Sequence, residues 1–134
     1  MTPSRMQVAH LLKQTRIDHK WSLNEVSRRA DMPMTTICRA EKGTSEPSLY
    51  VICAIAKAYG VTMNCDLFAG NLYARRKELG LTQKELAKRI GVRPQTICMY
   101  EREDVQPRIT SYLRLCEALE VDPVKFLEEK RRWR

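Results

Sequence analysis

The chain has 134 residues, and its 24 Lys and Arg against 16 Asp and Glu give a net charge of +8 and a pI near 9.5. This basic balance fits a polyanionic partner, and a hydrophobic content of 43% permits packed cores in one medium domain or two small ones. No apolar run approaches the ~20 residues that cross a bilayer, and the first residues lack the apolar region of a secretory signal, so we expect a cytoplasmic protein without membrane contact.

The first 68 residues predict five helices. Helix one covers residues 8–18, and helix two follows a Ser22 cap that Glu25, three residues later, completes as a capping box. A turn at 31–33 leads into helix three over 34–41. Helix four begins after a second serine cap, ends at a glycine and precedes a short fifth helix over 64–68. Its buried face is predicted to consist of Leu49, Ile52, Cys53, Ala56 and Tyr59.

The strongest local signal follows a helix predicted over 71–79 and runs from residue 81 to 101, LTQKELAKRIGVRPQTICMYE. Thr82 and Glu85 form a capping box for one short helix, and Gly91 supplies the left-handed turn that ends it. Pro94 opens a second short helix, where its missing N–H costs nothing. Apolar spacing buries Leu86, Ala87, Ile90, Ile97 and Tyr100 and leaves Gln95, Thr96 and Met99 outside. Two short helices joined by a tight turn form the helix-turn-helix plan, and the uncharged polar face of the second suits hydrogen bonding in the major groove.

The last 26 residues predict two more helices. The core stripe of helix four is expected to be Ile109, Tyr112, Leu113, Cys116 and Leu119. Asp122 caps a fifth helix with Pro123 in its first turn, and the tail EEKRRWR from 128 to 134 is expected to extend it. A solvated tail is the simpler interpretation, and phosphate contact or dimerisation through Trp133 is the alternative.

The chain repeats itself at an offset of 60 residues, without a gap. The aligned pairs include Ser22 with Thr82, Glu25 with Glu85, Ile37 with Ile97, Glu41 with Glu101 and Pro47 with Pro107. We therefore predict two tandem copies of one unit, with domains over 1–69 and 70–134. Gly70 is the only obvious break between the copies, so we expect them to be held rigidly and not by a flexible linker.

The run LTQKELAKRIGV, followed by Thr-Ile and then Glu, resembles the phage repressor and Cro family of helix-turn-helix domains, often called the XRE family. The resemblance implies an all-α protein of two tandem five-helix, lambda-repressor-like domains. In that family the second helix of the motif lies in the major groove and the first crosses the backbone. The resemblance also implies that an arginine of helix one braces the glutamate that ends helix three, here Arg76 with Glu101 and Arg16 with Glu41.

Carried over residue by residue, the resemblance implies a set of DNA-contacting positions. Gln83 would contact phosphate, and Arg93, Pro94, Gln95 and Met99 would meet base edges. The glutamine can form two hydrogen bonds to adenine, whereas methionine and proline offer only apolar contacts, for example to a thymine methyl. The full expected set is Gln83, Arg93, Pro94, Gln95, Thr96, Met99 and Arg102 in the second copy, with Met34, Thr35 and Arg39 in the first.

The first copy departs from the family's pattern. Leu23 stands where the phosphate-contacting glutamine is expected, and Asp31 replaces the turn glycine, a position that Asp tolerates better than most residues. Arg39 is either a guanine reader or a solvated charge. An exposed Leu23 suits a protein interface better than a phosphate, so the sequence favours DNA reading by the second copy alone.

We expect a sequence-specific transcriptional regulator whose partner is double-stranded DNA. If only the second copy reads DNA, a homodimer on a palindrome follows; if both read, one chain prefers a site with two unlike halves. The alternatives are an antiactivator or other regulator that masks a partner protein through the first domain, and a helical bundle without a nucleic-acid partner.

The sequence offers little for catalysis or metal binding. The five cysteines are odd in number and lack zinc spacing, so we expect reduced thiols. His10 and His19 fall in one short stretch, and no nucleophile–histidine or paired-carboxylate arrangement is readable. We therefore expect no cofactor, no metal and no enzymatic activity.

Overall fold

The computed structural model describes residues 3–130, and over that range the chain forms eight α-helices. The helices are α1 Arg5–Asp18, α2 Leu23–Ala30, α3 Met34–Lys42, α4 Leu49–Ala58, α5 Phe68–Glu78, α6 Gln83–Ile90, α7 Pro94–Glu101 and α8 Ile109–Ala118. No helix within this range is long and apolar enough to cross a membrane. The predicted all-α class is confirmed.

Side-chain caps decide where two of these helices begin. The Thr82 hydroxyl accepts from the Glu85 backbone N–H at 3.0 Å, and the Thr82 N–H donates to the Glu85 carboxylate at 3.1 Å, which confirms the predicted capping box. The sequence reading missed a second box, between Ser4 and Gln7. Because of it, α1 begins at Arg5, three residues earlier than predicted.

The caps of the first copy follow the prediction only in part. Ser22 caps α2 by accepting from the Glu25 N–H at 3.1 Å, and Ser48 caps α4. The second half of the predicted box at Ser22 is wrong, because the Glu25 carboxylate bonds the guanidinium groups of Arg28 and Arg29 at 2.6 Å each instead.

The predicted fifth helices are single 3-10 turns, at Cys65–Leu67 and Lys125–Leu127. The expected helical extension of the tail is wrong for residues 128–130, and the rest of the tail, with Trp133, lies outside the described residues. In the first copy the 3-10 turn runs directly into α5. Gly70 is therefore a helical residue, and the predicted boundary between 69 and 70 falls inside α5.

The core forms two clusters. The smaller is built from the buried side chains of Val26, Ala30, Ile37 and Ile55 in the first copy. The larger contains the core of the second copy together with three buried residues of the first, Val8, Leu49 and Cys53. Helix α4 thus has two apolar sides, one toward its own copy and one toward the other. The predicted face of α4 omitted Ile55, and it included Ile52, Ala56 and Tyr59, which are only half-buried.

The two copies meet directly where α4 and α8 begin. Ser48 and Arg108 form an isolated antiparallel β-bridge. The Leu49 N–H donates to the Pro107 carbonyl at 2.9 Å, and the Ile109 N–H donates to the Pro47 carbonyl at the same distance.

Candidate nucleic-acid interface

The helix-turn-helix predicted for the second copy is present. Helix α6 ends at Gly91 in the left-handed region, at φ 74°, and α7 begins with Pro94 in its first turn. Leu86 and Ile97 are completely buried and Tyr100 is nearly so, which anchors both helices on the core. The opposite side of α7 is left facing solvent.

The solvent side of α7 carries the residues that the sequence proposed for DNA contact. Arg93, Pro94, Gln95 and Met99 are exposed, the methionine by 39% of its surface, and Thr96 is half-buried. Side chains with hydrogen-bonding, apolar and cationic ends therefore share one accessible surface. Such a mixture can meet base edges and phosphates in a groove.

Arg102 and Gln83 lie at the two margins of that surface. Arg102 caps the end of α7, and its guanidinium lies 3.7 Å from the Asp104 carboxylate in a largely exposed pair. Gln83 is half-buried at the start of α6, and its amide N–H donates to Glu101 at 3.1 Å. This bond holds the amide of α6 against the end of α7.

The brace expected from the resemblance is confirmed in the second copy. The Arg76 guanidinium binds Glu101 through two nitrogens, at 2.7 and 2.9 Å, and donates a third hydrogen bond to the Leu81 carbonyl at 2.8 Å. Both side chains are only 6% exposed. The bond to Glu101 is the largest cause of a raised Arg76 pKa, so the arginine stays charged and the pair fixes the end of α7 to α5.

The first copy repeats this geometry at the aligned positions. The Arg16 Nε lies 3.0 and 2.9 Å from the two Glu41 oxygens, and its Nη1 donates to the Trp21 carbonyl at 3.0 Å. Trp21 aligns with Leu81 at the 60-residue offset. The same three-point brace therefore holds α3 in the first copy, and the predicted second pair is confirmed.

Helix α3 presents the same kind of surface as α7. Met34, Thr35 and Arg39 are exposed, the methionine by 49% of its surface, while Ile37 is buried. The turn before α3 forms without glycine, because Asp31 adopts the left-handed conformation at φ 53°. The pattern of buried and exposed positions from 31 to 40 is identical to that from 91 to 100.

The expected exposure of Leu23 is wrong. Leu23 is half-buried and packs against the smaller core cluster, because an apolar side chain gains more from burial there than from solvent. It also lines a groove of about 420 Å³ between α1 and α3, together with Met6, Ala9, His10 and Cys38.

The sequence reading missed one residue that orients the two copies. The Glu46 carboxylate accepts from the Thr110 backbone N–H at 2.7 Å and from the Thr110 hydroxyl. The two residues are 64 positions apart, so no local spacing pointed to this contact.

The described chain shows no alternative chemistry at this surface. None of the five cysteines is in a disulfide, and across residues 3–130 no group of three or more His, Cys, Asp or Glu could hold a metal ion.

Comparison with known proteins places these two units. The helix-turn-helix family matches residues 12–64 and again residues 72–126, once in each copy. The chain belongs to the helix-turn-helix family. This confirms the resemblance drawn from the sequence and the fold of two tandem units. The helix-turn-helix is a DNA-binding motif whose second helix enters the major groove.

Two curated relatives match parts of the chain. Repressor protein C2 of Salmonella phage P22 is 36% identical over 66 residues, which cover 49% of this chain and 31% of the repressor. An uncharacterized HTH-type transcriptional regulator of Methanothermobacter thermautotrophicus is 42% identical over 57 residues, or 40% of this chain and 83% of that protein. The chain thus spans about a third of the phage repressor's length. No solved structure matches the chain.

Proposed function

We propose that this chain is a sequence-specific DNA-binding transcriptional regulator that inserts α7, and α3, into the major groove. The observation that supports this best is the surface of α7. Gln95, Arg93 and Met99 are exposed on a helix whose far end is fixed by the buried pair of Arg76 and Glu101. A base-reading helix needs exposed contact residues on a support that does not move.

The contacts of α7 divide into base reading and phosphate positioning. Gln95 would bond adenine, Arg93 guanine or an adjacent phosphate, and Met99 with Pro94 would pack on a thymine methyl. Gln83 would position the backbone. Its amide nitrogen carries two protons, so one N–H can remain on Glu101 while the other bonds phosphate.

Flanking residues complete the proposed contact surface. Thr96, at the foot of α7, would bond the backbone beside the base contacts. The pair of Arg102 with Asp104 is long and exposed, so it contributes little to stability and leaves the guanidinium open to a phosphate. In the first copy, Arg39 would read guanine, with Met34 and Thr35 contributing apolar contact and a hydroxyl.

Charge and relatives support the same assignment. The net charge of +8 favours association with a polyanion. The relatives carry the names of a repressor and a transcriptional regulator. Repression by occupying an operator is the mode of action that fits these names.

The test is selection of bound duplexes from a random pool, followed by affinity measurements across salt concentrations. We expect a defined motif and an affinity that falls steeply with salt, by about a thousandfold between 50 and 200 mM if roughly six phosphates are contacted. A duplex affinity that stays flat over that range would count against DNA binding as the main role.

The groove beside Leu23 favours one second candidate, a regulator that binds a partner protein through the first copy. Its lining is mostly apolar, with Met6, Ala9 and Cys38, and it lies beside the position where the second copy carries a polar Gln83. Failure to bind any duplex from the pool, with the fold intact, would favour this candidate.

A further inference from the structure

The contact between the two copies is reciprocal. At the 60-residue offset Pro47 corresponds to Pro107 and Leu49 to Ile109. The two hydrogen bonds across the joint, Leu49 N–H to Pro107 and Ile109 N–H to Pro47, are therefore the same bond with the copies exchanged, and both measure 2.9 Å.

The bridge itself lies at the centre of this exchange. Ser48 and Arg108 are aligned with each other at the same offset, and they pair with each other in the antiparallel bridge. The buried side chains on either side follow the same rule, since Val8 and Phe68 are aligned and both belong to the larger core cluster.

A reciprocal contact of this kind is isologous, the arrangement found across a two-fold axis. Two copies stacked head to tail would bring two different surfaces together, and no residue would face its own counterpart. The joint therefore relates the copies by an approximate two-fold axis that passes between Ser48 and Arg108. A two-fold axis places equivalent surfaces at the same height along it, so it keeps α3 and α7 level with each other.

We propose that a single chain is a pre-assembled pair of unlike DNA-reading heads and occupies one operator alone, with α7 in one half-site and α3 in the other. This inference rests on the proposed function. The backbone of B-form DNA also has two-fold axes perpendicular to the helix, and repressor dimers align their own axis with one of these. Here the axis lies within one chain, so no second chain is required.

The two half-sites must differ in sequence, because the heads carry different side chains on equivalent positions. Thr35 aligns with Gln95, and Arg39 with Met99. The second copy offers adenine a two-bond amide, and the first offers guanine a guanidinium. The earlier expectation of a palindrome read by the second copy relied on an exposed Leu23, which the structure does not show.

The experiment combines selection, stoichiometry and footprinting on the full chain. Light scattering of the complex with a selected duplex should give one chain per duplex. The footprint should cover two unlike halves about 10 base pairs apart, centre to centre. Gln95→Ala should remove protection from one half and Arg39→Ala from the other. Each variant should weaken affinity by roughly 5- to 150-fold, the equivalent of one good base contact.

Spacing gives a second measurement. Inserting five base pairs between the halves turns one away from the other by half a helical turn, and we expect affinity to fall to that of a single head. An unchanged affinity would overturn the proposal, because the heads would then be flexibly joined.

Two further results would also overturn it. The first is two chains per duplex on a palindrome whose halves both respond to Gln95→Ala and not to Arg39→Ala, which would leave the proposed DNA-binding function intact. The second is a complete lack of duplex binding, which would remove the proposed function as well.

Discussion

Replacing Glu101 by alanine tests the link between the buried brace and DNA reading. Glu101 accepts two hydrogen bonds from Arg76 and one from Gln83. Alanine removes all three and leaves the guanidinium of a 6% exposed arginine with only the Leu81 carbonyl. We expect lower stability and weaker DNA binding together, because the same residue ends the recognition helix.

The magnitude follows from burial. Breaking a buried ion pair by removing one partner costs about 3–5 kcal/mol, most of it the cost of an uncompensated buried charge. The remaining bond of Arg76 to Leu81 places the expected loss in unfolding free energy near the lower end, at about 3 kcal/mol. For a chain of this length that corresponds to a fall in Tm of about 10 °C.

The assay is thermal unfolding by circular dichroism beside duplex binding by fluorescence anisotropy. The matched control is Glu41→Ala in the first copy, where Arg16 is 15% exposed and can regain water, so the loss should be smaller. The double variant with leucine at both 76 and 101 should recover much of the stability, since it leaves no unpaired charge.

Two results would refute this reasoning. If Glu101→Ala weakens binding while Tm is unchanged, Glu101 acts at the DNA surface and not as a brace. If the double leucine variant is no more stable than Glu101→Ala, the unpaired charge is not the source of the loss.

Further predictions concern specificity, pH and backbone strain. Gln95→Ala should cost about 1–3 kcal/mol of binding free energy and relax the selected motif at one base pair, whereas Gln83→Ala should weaken all duplexes about equally; an unchanged motif would exclude Gln95 from base reading. Hydrogen bonds from Thr82 lower the Glu85 pKa, so its contribution to stability is complete above the ordinary carboxyl pKa of about 4.3 and is lost as the pH falls through the lower folded-state value. Denaturant unfolding between pH 6 and 3 should therefore decline less for Glu85→Gln than for the parent chain, and parallel curves would contradict the cap's role. Asp31→Gly should stabilise the chain by about 1 kcal/mol, because glycine adopts φ 53° without steric cost; a lower Tm would mean that the Asp31 side chain contributes more than its strain costs.

The parts of the fold that sequence predicted well depend on local rules. A capping box at Thr82, a left-handed glycine at 91 and a proline at the first helical position each act within a few residues. The buried arginine–glutamate pairs span 25 residues, and the family resemblance supplied them where spacing alone did not.

The parts that failed depend on neighbours distant in sequence. Helix α4, LYVICAIAKA, is apolar nearly all round, so its periodicity did not separate the side facing Ile37 from the side facing the second copy. The prediction assigned one buried face where there are two, and Ile55 was lost. The direction of Leu23 was equally undetermined, because its neighbours in the groove come from α1 and α3. The DNA-contacting residues themselves stay predictions until a duplex is bound.

The two copies differ in how their cores are built but not in how their recognition helices are held. The first copy has the smaller cluster of buried residues, supplemented by Trp21 stacked on Tyr59 at 4.9 Å and by Arg29 over the Trp21 ring at 4.3 Å. The second copy shares its larger cluster with the joint. Because the brace at the end of α3 and α7 is the same in both, the orientation of each helix does not depend on which core lies beneath it. The exposed positions can therefore differ between copies without changing how each helix would enter a groove, and that separation is what lets one chain read two unlike half-sites.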